Sequence, residues 1–470
     1  MVALLGSPHV AAVMDELAPL ADRFGAAGHR LFLVGGTVRD LVTTVVRPDA
    51  PPQGDFDLDA TTTARPKEIK QLLQGWADAI WTQGERFGTI GAMKRVEVAG
   101  VADVNGASVE RVFEITTHRA EAYRDDSRKP EVAFSDDIVA DLSRRDFTVN
   151  AMAIEVTSPS PSLVDPFGGV ADLAAKVLRT PLTPAESFSD DPLRMLRAAR
   201  FIARYDLVPV PELLDAVGSM AERLSIVSAE RIRDELDKLL AASAPSGGLR
   251  FVFATDLGRQ ALPEVAALAD RVVDGSRHAD ALAHTLAVVA ALPVGADDRH
   301  LRWAGMFAAL GPSVARARMR ALRSSLASID AIGTLVAVHE RLSGGPAGGS
   351  GRWTAGEVRR LVRDAGPWLD QAVLLARANA AALVDGSAAA AMARVDGAVA
   401  QLAALADRED LGSFAPELDG ATVMEVLGLS PGRDVGRAVQ FLTELRLDAG
   451  PVGPTEATRR LIEWWNDHSS

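Results

Sequence analysis

The chain has 470 residues, 48% hydrophobic and 24% charged, a globular composition with enough length for two to four domains in series. With no cysteine and only eight histidines, disulfides and thiolate metal sites are excluded, so carboxylates are the donors left for any catalytic metal. The net charge of −13 argues against indiscriminate binding to polyanions, yet it is compatible with a basic strip on one face. No apolar run approaches the roughly 20 residues of a membrane helix, and Met1–His9 lacks a basic stretch leading into an apolar one, so a cytoplasmic protein without a membrane partner is expected.

In chain order, an amphipathic helix is predicted over Val10–Phe24, then a short apolar strand from Arg30 to Val34 that runs into Gly35 and Gly36. Residues 47–54 are loop chemistry. Thr89–Val98 and Arg111–Thr117 read as extended segments joined into a hairpin at Asn105-Gly106. From about Asp172 the pattern turns helical, rich in alanine, leucine and arginine, with breaks at Ala241–Gly248 and Ser343–Gly351. The fold class is α+β: a head with a mixed β-sheet over residues 1–155, then all-α segments over 156–245, 246–345 and 346–470.

Three constellations carry chemistry. In Leu33-Val-Gly-Gly-Thr-Val-Arg-Asp40, glycines 35 and 36 at a helix start let backbone N–H groups approach phosphate oxygens, and Arg39 adds a cation; a plain tight turn reads the same way. In Asp55-Phe-Asp-Leu-Asp59, alternate residues of a strand face one side, so carboxylates two apart converge on a point suited to magnesium; a solvated acidic strand is the other reading. In Asp190-Asp-Pro-Leu-Arg-Met-Leu-Arg197, Asp191, Arg194 and Arg197 recur at helical spacing on one face, as a surface ion-pair stripe would also have them.

The order strand, glycine pair, helix, alternating aspartates resembles the polymerase-β-like nucleotidyltransferases. Gapless matching back from Ala64-Arg-Pro66 makes Asp57 and Asp59 the metal pair and Asp55 an extra; Glu114, in Phe113-Glu-Ile-Thr-Thr117 on a neighbouring strand, is a candidate third catalytic carboxylate or equally an ordinary edge-strand charge. Arg144-Arg-Asp-Phe-Thr-Val-Asn-Ala-Met152 is similar to the ribose-recognition motif of the class II CCA-adding tRNA nucleotidyltransferases and bacterial poly(A) polymerases. This resemblance implies nucleotide-binding roles for Arg145, Asp146 and Asn150. It further implies that Asp191 and Arg194 read the Watson–Crick edge of the incoming base, that Mg2+ is the cofactor, and that the partners are ATP, CTP and the 3′ end of tRNA. Residues 156–245 would be the neck, 246–345 the body and 346–470 a tRNA-binding tail.

Within that family, Thr82–Ile90 looks like the short segment of CCA-adding enzymes. Thr116-Thr-His-Arg119 with Tyr123–Pro130 looks like the flexible loop of full CCA-adding enzymes, His118 standing where phenylalanine is usual. The expected activity is CCA addition; a poly(A) polymerase, a partial CC- or A-adding enzyme, or a silent RNA-binding protein are the alternatives. A His-Asp phosphohydrolase-like module is recognisable at His284-Thr-Leu286, but Ala308 and Ala309 stand where its paired ligands would be, so it is expected to be inactive. Arg316, Arg318, Arg320 and Arg323 are open to either RNA contact or solvation, with Arg316, Arg320 and Arg323 sharing a helical face.

Overall fold

The computed structural model describes residues 7–48, 58–97, 108–122, 131–158, 160–275, 277–295, 299–346 and 352–468. Asp55, Asp57, the Asn105-Gly106 turn, Tyr123–Pro130 and residues 347–351 lie outside them. The chain divides into two compact units, Met1–Ile226 and Val227–Ser470. The class is α+β, with a mixed sheet in the first unit and helices dominating the second.

The first unit begins with helix α1 (Pro8–Ala26), which buries Val10, Leu17, Leu20 and Phe24 at turn-by-turn spacing. Strand β1 (Leu31–Val34) follows. Its four apolar residues are all buried because it lies inside the sheet, paired antiparallel with β2 (Leu58–Thr62) on one side and β8 (Ala153–Glu155) on the other. Strands β3 (Ala79–Trp81), β4 (Thr89–Glu97) and β5 (Ser108–Thr117) extend it past β2, and β9 (Ser162–Val164) closes the far edge, giving the order β3-β4-β5-β2-β1-β8-β9. β4 and β5 pair antiparallel from Thr89 opposite Thr116 to Glu97 opposite Ser108, as the hairpin reading expects. β2 and β5 are parallel, with Asp59 in register with Glu114, so the two carboxylates emerge on the same face. A separate ribbon pairs β6 (Arg119–Ala122) with β7 (Glu131–Phe134).

Helices α2 (Gly35–Val46), α3 (Pro66–Leu73), α4 (Ile138–Ser143) and α5 (Gly169–Ala174) accompany the sheet, and Phe32, Val34, Ile138, Leu142, Ala151 and Ala153 form one of its buried clusters. After them come α6 (Pro184–Asp190), α7 (Arg194–Tyr205) and α8 (Pro211–Met220). The apolar side of α7 is anchored by Phe201, 5.1 Å from Phe147 and 5.2 Å from Tyr205 between ring centroids.

The second unit opens with the helix Ala229–Leu240, capped by Ser228, whose Oγ accepts from Arg231 N. Trp303 and Phe307 stack in its core, and a further cluster gathers Leu418, Val423, Ala438, Leu442, Ala457 and Leu461. Gly386–Ala406 corrects one expectation. Its 21 residues reach a mean hydropathy of 1.2, enough by length and composition to cross a membrane, because alanine counts as apolar. It also carries Arg394 and Asp396, and Arg377 of the preceding helix holds Asp396 at 2.8 Å. The helix Pro312–Ala321 ends before Arg323, which has φ +56°, so the expected shared face of Arg316, Arg320 and Arg323 does not form. Arg318 lies 2.8 Å from Glu264, and Arg316 lies 3.9 Å from Asp330.

Candidate active site

A cavity of about 290 Å3 in the first unit is lined by Gly35, Gly36, Asp59, Arg145, Asp146, Asn150, Asp191, Arg194 and Arg197. Every lining residue is one that the sequence singled out, although the chain contributes them from positions 35 to 197. Of the remaining candidates, Asp57 lies outside the described residues, Glu114 stands exposed beside Asp59 on the next strand, and Arg39 is buried behind the wall.

The floor is the β1–α2 junction. Gly35 has φ +70°, a conformation that costs an L side chain, and a Cβ there would sit 3.2 Å from Arg145 Nη1 and 3.4 Å from Asp59 Oδ2. Glycine therefore lets the chain turn into the helix while a cation and a carboxylate approach the same backbone. The N–H groups of the first turn of α2 open on this side, where an anion gains from them.

Behind the floor runs a chain of polar contacts. Arg39 is 6% exposed; its Nε donates to Asp40 Oδ1 at 2.8 Å and its Nη1 to Asn150 Oδ1 at 2.7 Å, while its guanidinium lies over the Tyr205 ring at 4.2 Å. Arg39 is thus a brace in this structure. Asn150 Nδ2 donates onward to Asp146 Oδ1 at 2.9 Å, an oxygen that also accepts from Phe147 N at 2.9 Å. The other carboxylate oxygen, Oδ2, accepts from Arg197 Nε at 2.9 Å and from its Nη2. Burial pushes the Asp146 pKa up, but the Arg197 charge, the Asn150 and Arg197 hydrogen bonds and the Arg194 charge outweigh it and hold the carboxyl far below the usual range.

The base-reading candidates are arranged differently from the helical stripe their spacing suggests. Asp191 is extended (φ −143°, ψ 99°) and lies between α6 and α7, because a residue before proline is driven out of the helical region and Pro192 follows it. Its Oδ1 accepts from Leu193 N at 3.1 Å. Arg194 and Arg197 are on α7, and all three line the cavity. The Arg194 guanidinium is held by Ser187, which the sequence did not flag, and by the first residue of the Arg144–Met152 motif: Nη1 donates to Ser187 Oγ at 2.9 Å and to Ser187 O at 3.2 Å, and Nη2 donates to Arg144 O. On the opposite wall, Arg145 Nη2 lies 3.3 Å from Asp141 Oδ2. His118 is fully buried, its Nδ1 2.8 Å from Thr61 Oγ1 and its Nε2 without a hydrogen-bond partner among the described residues. No local pattern marks Ser187 or Asp141; their roles exist only through contacts across the fold.

In the second unit, His284 is 3% exposed with Nε2 3.0 Å from Asn379 Oδ1, and among the described residues no group of three histidines or carboxylates is placed to hold a metal.

Residues 31–179 match the family model of the poly(A) polymerase head domain, and residues 209–268 match that of a probable RNA- and SrmB-binding site of polymerase A. The CCA-adding enzyme of Levilactobacillus brevis is 34% identical over 250 residues, 53% of this chain and 56% of that protein. The one from Bacillus velezensis is 32% identical over 259 residues, 55% of this chain and 58% of that protein. The match thus spans little more than half the length of these curated relatives. The fold is similar over nearly the whole length to the Bacillus stearothermophilus CCA-adding enzyme in complex with CTP (TM-score 0.66, 21% identity, 98% of this chain and 99% of that one). It is also similar to the Thermotoga maritima CCA-adding enzyme complexed with tRNA (TM-score 0.57, 18% identity, 98% and 97%). The head-domain match, the RNA-binding-region match and the CCA-adding relatives point one way: residues 31–179 are similar to a poly(A) polymerase head, and the chain resembles the CCA-adding enzymes and poly(A) polymerases.

Proposed function

We propose that the protein is a nucleotidyltransferase that adds CMP, CMP and AMP to the 3′ end of tRNA from CTP and ATP without a nucleic-acid template. The observation that carries this reading is the single cavity in which the glycine pair, Asp59, the Arg145-Asp146-Asn150 group and the Asp191-Arg194-Arg197 group meet. The reaction is in-line attack of the RNA 3′-hydroxyl on the α-phosphate with release of pyrophosphate. Gly35, Gly36 and the start of α2 cradle the triphosphate, with Arg145 at their side and Arg39 bracing them from behind. Asp146 and Asn150 order the ribose end, and Asp191 with Arg194 reads the base through one carboxylate acceptor and one arginine fork.

Asp57 and Asp59, with Glu114 beside Asp59, would hold magnesium. Asp59 and Glu114 offer oxygen donors from adjacent strands on one face, which suits a hard cation, and the metal would supply charge stabilisation for the reacting phosphate. Residues 156–245, 246–345 and 346–470 serve as neck, body and tail, the first not all-α as expected because Ser162–Val164 closes the head sheet and Val177–Leu178 pairs with Val208–Pro209; they would grip tRNA by shape and phosphate contact, and a tRNA substrate fits a cytoplasmic protein.

The head-domain match by itself suits a poly(A) polymerase or a partial CC- or A-adding enzyme on the same scaffold. Incubation with magnesium, labelled CTP and ATP, and tRNA ending at the discriminator base separates these. Three nucleotides added by the wild type and none by Asp57→Ala, Asp59→Ala is the expected result. A long A ladder assigns the protein to the polymerases, and a stop at CC or a requirement for a CC end assigns it to the partial enzymes. RNA binding without incorporation makes it a silent binder.

A further inference from the structure

Resting on that reading of the base-recognition group, we infer that Ser187 is a positioning residue for nucleotide selection: it holds the Arg194 fork so that a fixed edge of the guanidinium meets the base. Ser187 sits at the middle of α6 and is 2% exposed, so its hydroxyl answers to the protein interior. Its position is fixed locally. Thr183 and Glu186 form a capping box, with Thr183 N donating to Glu186 Oε2 at 3.1 Å, and Pro184 starts the first turn.

An arginine side chain has five N–H donors in a planar fork and can offer a base either its end, the two Nη atoms, or its side, Nε with one Nη. In Arg194 the end is occupied. Nη1 is held by both oxygens of Ser187, and Nη2 gives one hydrogen to the Arg144 carbonyl. Nε has no partner among the described residues, which leaves the Nε–Nη2 side as the open edge. Donors there suit the unprotonated ring nitrogen on the Watson–Crick edge of cytosine or adenine, and they oppose the ring N–H that uracil and guanine present at that place. Together with the Ser187 and Arg144 carbonyls, Ser187 Oγ keeps the rigid planar fork from swinging about Cγ–Cδ and Cδ–Nε to present its other edge. Without it Nη1 keeps the longer, 3.2 Å contact to the backbone carbonyl and a 4.0 Å approach to Asp190 Oδ2. The hydroxyl thereby contributes to discrimination although it touches no nucleotide.

The test is equilibrium binding, in magnesium, of CTP, ATP, UTP, GTP and inorganic tripolyphosphate to the wild type, Ser187→Ala and Ser187→Thr. Wild-type preference for CTP and ATP over UTP and GTP is the premise; its absence overturns the base-recognition reading itself before any variant is considered. Given that preference, Ser187→Ala is expected to weaken CTP and ATP about tenfold, the scale of a hydrogen bond to a charged group. UTP, GTP and tripolyphosphate should be unchanged, and Ser187→Thr, which keeps the hydroxyl, should restore the preference. Unaltered discrimination in Ser187→Ala overturns the inference. So does an equal loss for all five ligands, because tripolyphosphate has no base and would register only a general disturbance of the site.

Discussion

Arg197 donates through Nε, at 2.9 Å, and through Nη2 to a single oxygen of Asp146, so a half-exposed helical cation neutralises a buried carboxylate fifty-one residues earlier in the chain. The pairing makes Asp146 a stability element as well as a site residue. Its folded pKa is depressed, so its contribution is complete above the unfolded value of about 4 and is lost as the pH falls below it. Asp146→Asn is expected to lower stability at pH 7 by about 3 kcal/mol, the scale for breaking a buried pair, and to flatten the acid limb of the stability curve. Urea unfolding across pH 3 to 7 measures both; parallel curves for variant and wild type would refute the assignment.

Gly35→Ala places a Cβ at φ +70° against Arg145 and Asp59. The backbone strain alone should cost about 1–2 kcal/mol in thermal unfolding. Displacement of the two side chains should reduce nucleotide incorporation by more than the stability loss explains. Gly36→Ala, whose Cβ would meet only the Arg39 guanidinium, 3.4 Å from Nη2, should be the milder of the two in both assays.

Glu114 shares its register with Asp59 across the parallel β2–β5 pair. If it supports the metal, Glu114→Gln should need about tenfold more magnesium for half-maximal incorporation while reaching a similar plateau, the behaviour of a group that tunes affinity. A magnesium titration with an unshifted midpoint would make Glu114 an ordinary strand carboxylate.

His339, 4% exposed, has its pKa pushed down to about 4, first by burial and then by the nearby His284 charge. A neutral imidazole buried this way favours the folded state above the unfolded pKa of about 6.5, and that advantage is lost as the pH falls from there toward 4. The slope is about 1.4 kcal/mol per pH unit in that window. In unfolding curves of the whole chain, His339→Gln should reduce the slope in that window by about this one-proton share, leaving the part that His118, His284 and His300, also held down by burial, contribute.

The legible part of the fold lies where residue type and local geometry coincide. Leu31–Val34 is legible as a strand because all four residues are apolar and glycines follow, and Asp59, Arg145-Asp146 and Arg194 are legible as candidates, which the fold brings into one cavity, because each is a short string with its own chemistry. Asp191 was misplaced onto the helix although Pro192, which bars it, was in view. The Arg323 placement failed for a different reason: a helix stop at Leu322 with a left-handed residue after it has no glycine to announce it. Arg39 was assigned to the ligand side, yet it faces Asp40, Asn150 and Tyr205, and nothing near it in the chain specifies partners at 150 and 205. Ser187 was missed on the same ground.

The Arg39–Asn150–Asp146–Arg197 chain also has a direction. Asn150 turns its oxygen toward a cation and its nitrogen toward a carboxylate, at 2.7 and 2.9 Å, so its two ends are not interchangeable. A carboxylate of the same shape would set two negative charges face to face, and an aliphatic side chain would leave both neighbours unanswered in a buried space. The wiring between α2 at the cavity floor and α7 at its side therefore tolerates one kind of connector, an amide held in one orientation, and position 150 is the place where the two walls of the cavity were made to agree.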